Sequence, residues 1–165
     1  MIAFQMKEVK NFMSKLFQKT DFDQFLVREV EVQAACSYKI NGHRNQGFYT
    51  KEELEELADQ AYLRWEEVKF LVFHMIRGAK TPQLLSATFL IRENEIEELL
   101  AASGTGIRTE DIAGAYMNLK FQAGELVLIT GVGFKTFVQG KEFERSWDQY
   151  VRNFLQKKEI SFEEL

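Results

Sequence analysis

The sequence predicts an α+β domain: a largely antiparallel sheet with helices packed on it. Three observations lead there. Segments with apolar residues at i, i+3, i+4 and i+7 are interspersed with short segments that alternate apolar and polar, so helices and strands both occur. Neighbouring strand segments are separated by tight-turn sequences, above all Asn41-Gly42 and Gln122–Glu125, which favours antiparallel pairing. The order strand, helix, strand, strand, strand, helix runs from Met1 to Tyr62 and again from Leu84 to Lys157.

In the first half, Met1–Gln5 reads as a short strand. Val9, Phe12, Met13, Leu16 and Phe17 then share one face of a helix over Lys7–Gln18. Burying those five side chains would contribute on the order of 8–15 kcal/mol before ordering entropy is subtracted. Phe25–Ala34 alternates, with Val30 and Val32 inward and Glu29, Glu31 and Gln33 outward. Ser37–Ile40 follows, and Asn41-Gly42 suits a type I′ turn that returns His43–Tyr49 as the next strand. Thr50 and Glu53 form a capping box for a helix over Lys51–Tyr62, with Leu54, Leu57, Ala58 and Ala61 on one face. Trp65–Ile76 is apolar almost throughout, so a buried helix is expected, with a strand over Val68–Met75 as the alternative. RGAKTP ends it at Pro82.

In the second half, Leu84–Ile91 is a strand. Asn94 and Glu97 cap a helix whose apolar face holds Ile96, Leu99 and Leu100, and Gly104 stops it. Thr109–Ile112 can form one helical turn. Ala115–Phe121 alternates, with Met117, Leu119 and Phe121 on one side, and reverses into Leu126–Thr130. Phe143, Trp147, Tyr150, Val151, Phe154 and Leu155 mark a last helix over Lys141–Lys157. The halves share scattered identities: Gln33 and Ala34 match Gln122 and Ala123, Gly42 matches Gly131, and Phe48 matches Phe137. The organisation expected is one domain over residues 1–165, with pseudo-repeats at 1–62 and 84–157 joined by a buried helix at 65–77.

With 165 residues the chain can bury a real core. Fifteen phenylalanines against one proline point to a core of large aromatic side chains between long regular elements. The net charge of −4 argues against wholesale attraction to nucleic acid or an anionic membrane. A single cysteine, Cys36, excludes an intrachain disulfide and a cysteine-based metal cluster. The N-terminus lacks the pattern of a signal peptide, and no apolar run approaches the ~20 residues of a membrane span. A cytoplasmic location is expected.

Chemistry-bearing motifs fail on inspection. LVLITGVGFKTF at Leu126–Phe137 approaches a phosphate loop, but Phe134 stands where glycine should precede Lys135, and Ile129 stands where the first glycine belongs. Phe134–Val138 alternates like a strand, so Gly131 and Gly133 read as part of a hairpin reversal. His43 and His74 lack a second ligand at metal spacing. His74 reads as a hydrogen-bonded core or boundary histidine, and Cys36 as a small buried thiol. The acid pairs Glu52-Glu53 and Glu97-Glu98 fall on exposed helix surface. No catalytic residue, cofactor or metal is expected, and the chain leans away from being an enzyme.

Two sets of candidate contacts remain. His43, Arg44 and Tyr49 cluster near one hairpin and are the first candidates for ligand or partner contact. Lys7, Lys10, Lys15 and Lys19 on the first helix, with Arg77 and Lys80 from the loop, form a candidate basic patch able to track phosphates. The second half carries Glu93, Glu95, Glu97 and Glu98 at the corresponding helix, which contradicts a two-fold nucleic-acid surface.

FDQFLV at Phe22–Val27, W-x-x-V at Trp65–Val68 and RGAKTP at Arg77–Pro82 resemble an uncharacterised family of bacterial proteins typical of anaerobic Firmicutes. That likeness extends through GELVLITG and the Trp147 helix, and it implies no activity or site residues. The repeated unit is also loosely similar in architecture to one domain of a DNA sliding clamp, from which the extra helices and the acidic second helix depart. Fold-level analogy licenses no function. The leading expectation is a non-catalytic cytosolic binding or assembly module acting on a protein partner. The alternatives are a small-molecule-binding protein or enzyme whose site forms only in the fold, and a clamp-like nucleic-acid-associated protein. Oligomeric state is left open.

Overall fold

A computed structural model describes residues 1–57 and 61–165. The elements are β1 (Ala3–Met6), α1 (Val9–Phe17), β2 (Leu26–Gln33), β3 (Ser37–Asn41), α2 (Lys51–Glu56), β4 (Leu63–Arg64) and α3 (Trp65–Ile76). The second half supplies β5 (Leu84–Leu90), α4 (Glu93–Ser103), β6 (Ile112–Gln122), β7 (Glu125–Phe134), α5 (Glu142–Lys157) and β8 (Phe162–Glu164). Among the described residues all eight strands join one sheet in the order β3-β2-β5-β6-β7-β1-β8, with β4 also on β2. Every pairing is antiparallel, so the expected α+β class is what the chain adopts.

The registers explain where the core lies. Val30, Ala87, Leu119, Leu128 and Phe4 form one row across the strands, and Val32, Leu85, Phe121 and Leu126 form another. All nine are buried. The row between them carries Glu31, Ser86, Lys120, Val127 and Gln5, and the row on the other side of Val30 carries Glu29, Thr88, Asn118, Ile129 and Ala3, none of them buried. Alternation along each strand thus separates a helix-covered apolar face from a mostly polar, open one.

The helices cover the apolar face through their predicted stripes: Phe12, Leu16 and Phe17 of α1, and Phe143, Trp147, Val151 and Leu155 of α5, are buried. At the centre the ring of Phe22 meets Phe12, Phe25, Phe89 and Phe154 at centroid distances between 5.2 and 6.1 Å. Trp65 joins through Phe89 at 5.2 Å, and its indole N–H donates to the Leu16 carbonyl at 2.7 Å. Five of the fifteen phenylalanines form this cluster.

Several expectations need correction. The β2–β3 reversal lies at Ala34–Cys36, where the Ala34 N–H donates to the Cys36 carbonyl, and β3 runs on through Asn41. His43–Tyr49 is no strand: His43 makes an isolated bridge to Tyr62, and Gln46–Phe48 is a 3-10 turn. Gly42 serves close approach rather than a turn. Its N–H donates to the Arg28 carbonyl, and a β-carbon there would stand 1.8 Å from the Val27 carbonyl oxygen. The Thr50–Glu53 capping box is present, but α2 ends at Glu56; Leu54 and Leu57 are half-buried, Ala61 is exposed, and Ala58 lies outside the described residues.

In the second half, α4 starts two residues earlier than expected. The Glu95 carboxylate accepts from the Arg92 N–H at 3.0 Å, in place of an Asn94–Glu97 cap. Gly104 stops the helix in the left-handed region at φ 65°. Gly131 and Gly133 make no reversal, since β7 continues through both to Phe134, and Lys135–Val138 is not strand. Gly133 and its neighbour Gly114 instead leave room for the Tyr116 ring, which a β-carbon would approach to 3.1 and 2.7 Å. β4 and β8 carry no expectation from the sequence; β8 is a C-terminal strand against β1.

The pseudo-repeat is absent from the pairing. In the second half β5 lies beside β6, whereas their counterparts β1 and β2 are not neighbours, and β1 pairs with β7 and β8. The clamp analogy loses its basis in that asymmetry. Among the described residues no helix is long and apolar enough to cross a membrane.

Candidate functional site

Arg44 and Tyr49 do come together, as a support for the loop after β3. Arg44 is only 4% exposed, its backbone N–H donates to the Ala61 carbonyl, and its guanidinium donates to the Tyr49 hydroxyl at 3.1 Å. The same guanidinium makes a two-pronged contact with Glu67 at the start of α3, at 3.1 and 2.9 Å. Burial alone would raise the Glu67 carboxyl, but the hydrogen bond from Arg44 and the backbone N–H of Arg64 outweigh it and hold the pKa below its ordinary value. These bonds tie the loop to the first turn of α3, where a carboxylate also complements the helix dipole.

His43 goes elsewhere. Its Nδ1 lies 3.1 Å from the Arg44 carbonyl oxygen and its ring stands edge-on to Tyr62, on an open polar cleft shared with Arg28, Glu29, Lys39 and Asn41. Lys39 and Glu29 are paired there at 3.5 Å. The three candidates therefore do not converge on one ligand space. His74 is exposed on α3 rather than bonded in the core, and Cys36 is exposed at the β2–β3 reversal. Among the described residues no three His, Cys, Asp or Glu side chains are placed to hold a metal ion.

Stability should report the Arg44–Glu67 pair. A carboxylate whose pKa is lowered by folding adds stability above its ordinary value of 4.5, and that stability is lost as pH falls through the folded value. Glu67→Gln is expected to cost about 1.5–3 kcal/mol at neutral pH, and to flatten the loss of stability below pH 4.5 seen by urea unfolding of the parent. Equal slopes in the two proteins would show that the pair is not titrating.

The second concavity lies between the helices. Val9, Met13 and Phe17 of α1 face Phe73 and Ile76 of α3 across a groove of about 510 Å³, floored by Leu85 of β5 and Phe121 of β6. Thr81 and Pro82 of the RGAKTP loop close one side, and Lys10 stands on the lining. Its size falls in the range of ligand pockets. Among the described residues its lining is mostly apolar, with Lys10, Ser14, Gln18 and Thr81 as the polar groups and no carboxylate, histidine or cysteine.

Beyond the groove α3 departs from the buried helix expected. Trp65, Val68, Lys69 and Val72 are buried, yet Phe70 is 67% exposed, Leu71 53% and Phe73 38%. A twelve-residue helix has only one side to give to the sheet, and this one is apolar around most of its circumference. Phe70 and Phe73, three residues apart, share the side that borders the groove, with Leu71 on the opposite flank. The signal was present in the run WEEVKFLVFHMI, which carries more apolar residues than one buried stripe can use.

The basic candidates divide. Lys10 lines the groove, and Arg77 and Lys80 lie on the exposed loop joining Ile76 to Thr81, both groove residues. Lys7 and Lys19 are exposed and Lys15 is half-buried on or beside α1. Sequence reasoning missed Lys69, a buried cation 2.7 Å from buried Asp23. The family described as "Family of unknown function (DUF5721)" matches residues 15–163.

The chain belongs to this family.

No curated protein and no solved structure matches the chain. Three stretches by which this DUF5721 chain resembles an uncharacterised family have definite places in the fold. FDQFLV supplies Phe22, Phe25 and the buried Asp23, and W-x-x-V supplies Trp65 and Val68. RGAKTP supplies the rim of the groove. Two of the three supply core residues, and the third lies at the surface beside the groove.

Proposed function

We propose that this DUF5721 protein is a non-catalytic binding module that engages a protein partner through the α1–α3 groove and the outer side of α3. The observation that carries the reading is the exposure of Phe70 and Phe73 beside a groove lined mostly by apolar side chains. Isolated exposed apolar residues need no explanation, but a contiguous patch continuing into a concavity marks an interaction surface. Burying a Phe side chain stabilises by about 1.5–3 kcal/mol, so these two residues and the groove wall supply a strong association term. Among the described residues no histidine, cysteine or carboxylate stands beside Lys10, Ser14 or Thr81 in the groove lining to activate them, which favours binding over catalysis.

A photo-cross-linking amino acid placed at position 70 in the living cell tests the reading. A discrete adduct to a second protein is expected from position 70. None is expected from position 120, because Lys120 points from the open face of the sheet on the other side of the molecule. Absence of an adduct at 70, or identical products from both positions, would reject the assignment. Phe70→Glu should leave stability within about 0.5 kcal/mol, as for an ordinary surface change.

A further inference from the structure

Resting on that reading, we infer that the partner segment is an amphipathic helix whose apolar side enters the groove and whose flanks are acidic. Three features carry the inference. The first is shape: the walls are two helices, and the apolar strip continues from the floor residues Leu85 and Phe121 past Phe73 to Phe70. A ligand confined to about 510 Å³ would leave Phe70 uncovered, whereas a helix laid along the groove covers both with side chains at i, i+3 or i+4, and i+7.

The second feature is charge. Lys10 stands on the lining, Arg77 and Lys80 lie on the bordering loop, and among the described residues no carboxylate lines the groove. The third is that these cations are uncommitted: among the described residues none of the three takes part in an ion pair. A net charge of −4 makes an unpaired basic rim around an apolar groove a local departure from the rest of the molecule. Complementary rim charge selects among apolar segments more than it adds affinity, because it repels a basic helix.

Selection of a random sixteen-residue peptide library on the full chain, counter-selected on Phe70→Glu, tests this. Clones are expected to carry apolar residues at i, i+3 or i+4, and i+7 with net negative charge. Chemically synthesised clones should turn helical on binding, by circular dichroism. The triple variant Lys10→Glu, Arg77→Glu, Lys80→Glu should bind them at least tenfold more weakly and should bind Glu-to-Lys analogues of the same peptides better than the parent does. Groove-dependent clones that are basic, neutral or extended would overturn the inference while leaving the groove as a docking site. Failure to recover any Phe70-dependent clone would overturn it as well, and the cross-link at position 70 separately decides whether the site itself stands. Saturable binding of oleate without peptide binding, or self-association lost in Phe70→Glu by sedimentation, would replace the helix with a fatty acid or a second copy and equally overturn it.

Discussion

Replacing Asp23 with alanine is expected to destabilise the protein by about 3–5 kcal/mol, because it leaves the Lys69 ammonium buried without its counter-charge. Both residues are 7% exposed, and the Lys69 Nζ donates to the Asp23 carboxylate at 2.7 Å and to the Lys19 carbonyl at 3.0 Å. The pair joins the segment after α1 to the middle of α3, beside the Phe22–Trp65–Phe89 cluster. A typical domain has only about 5–15 kcal/mol in hand, so this single change should bring it close to unfolding at moderate temperature. Urea denaturation of Asp23→Ala measures the loss. The double variant Asp23→Leu, Lys69→Met is the control: replacing both charges by apolar groups of similar size should recover most of the stability. If the double variant is as unstable as the single one, shape rather than charge holds this junction.

Gly42→Ala should be almost as damaging, by about 3 kcal/mol or more, and for a reason the sequence conceals. In a type I′ turn the substitution would cost roughly 1–2 kcal/mol through backbone strain. Here the added methyl would lie 1.8 Å from the Val27 carbonyl oxygen and 2.6 Å from its carbonyl carbon, so the β2 backbone itself must move. Overpacking against a backbone is less forgiving than against a flexible side chain. Gly42 also sits between β2 and β4, donating to Arg28 and accepting from Leu63, at the irregularity in β2 between Val27 and Glu29. Thermal unfolding of Gly42→Ala therefore separates the two roles of this glycine: a shift of only a few degrees would restore the turn reading. Gly131→Ala is the comparison, since the nearest contact of its β-carbon is the Asn118 side-chain amide at 3.9 Å, and it should be tolerated.

The same distinction governs what was legible in the chain. Helix faces such as Val9–Phe17 and Phe143–Leu155, and alternating strands such as Met117–Phe121, are periodic in sequence because one side of each is buried. Turn glycines were harder, because a glycine can mean a positive φ angle, as at Gly104, or a close approach, as at Gly42, Gly114 and Gly133. Nothing local distinguishes these cases. The candidate site was legible only in pieces. Lys10 and the RGAKTP loop stood out by type, while the grouping of His43 with Arg44 and Tyr49 dissolved once Arg44 turned inward to Glu67.

By itself, then, the sequence determined the α+β class, the positions of most helices and strands and the aromatic character of the core, since each follows from periodicity or residue type. Only the tertiary structure decided the strand order, the asymmetry of the two halves, the Asp23–Lys69 and Arg44–Glu67 pairs, and which side of α3 stays uncovered. Those features depend on contacts between residues 20 or more positions apart, as with Asp23 and Lys69 or Arg44 and Glu67. A period along the chain says which face of an element is apolar, but not which neighbour covers it, or that at Phe70 none does.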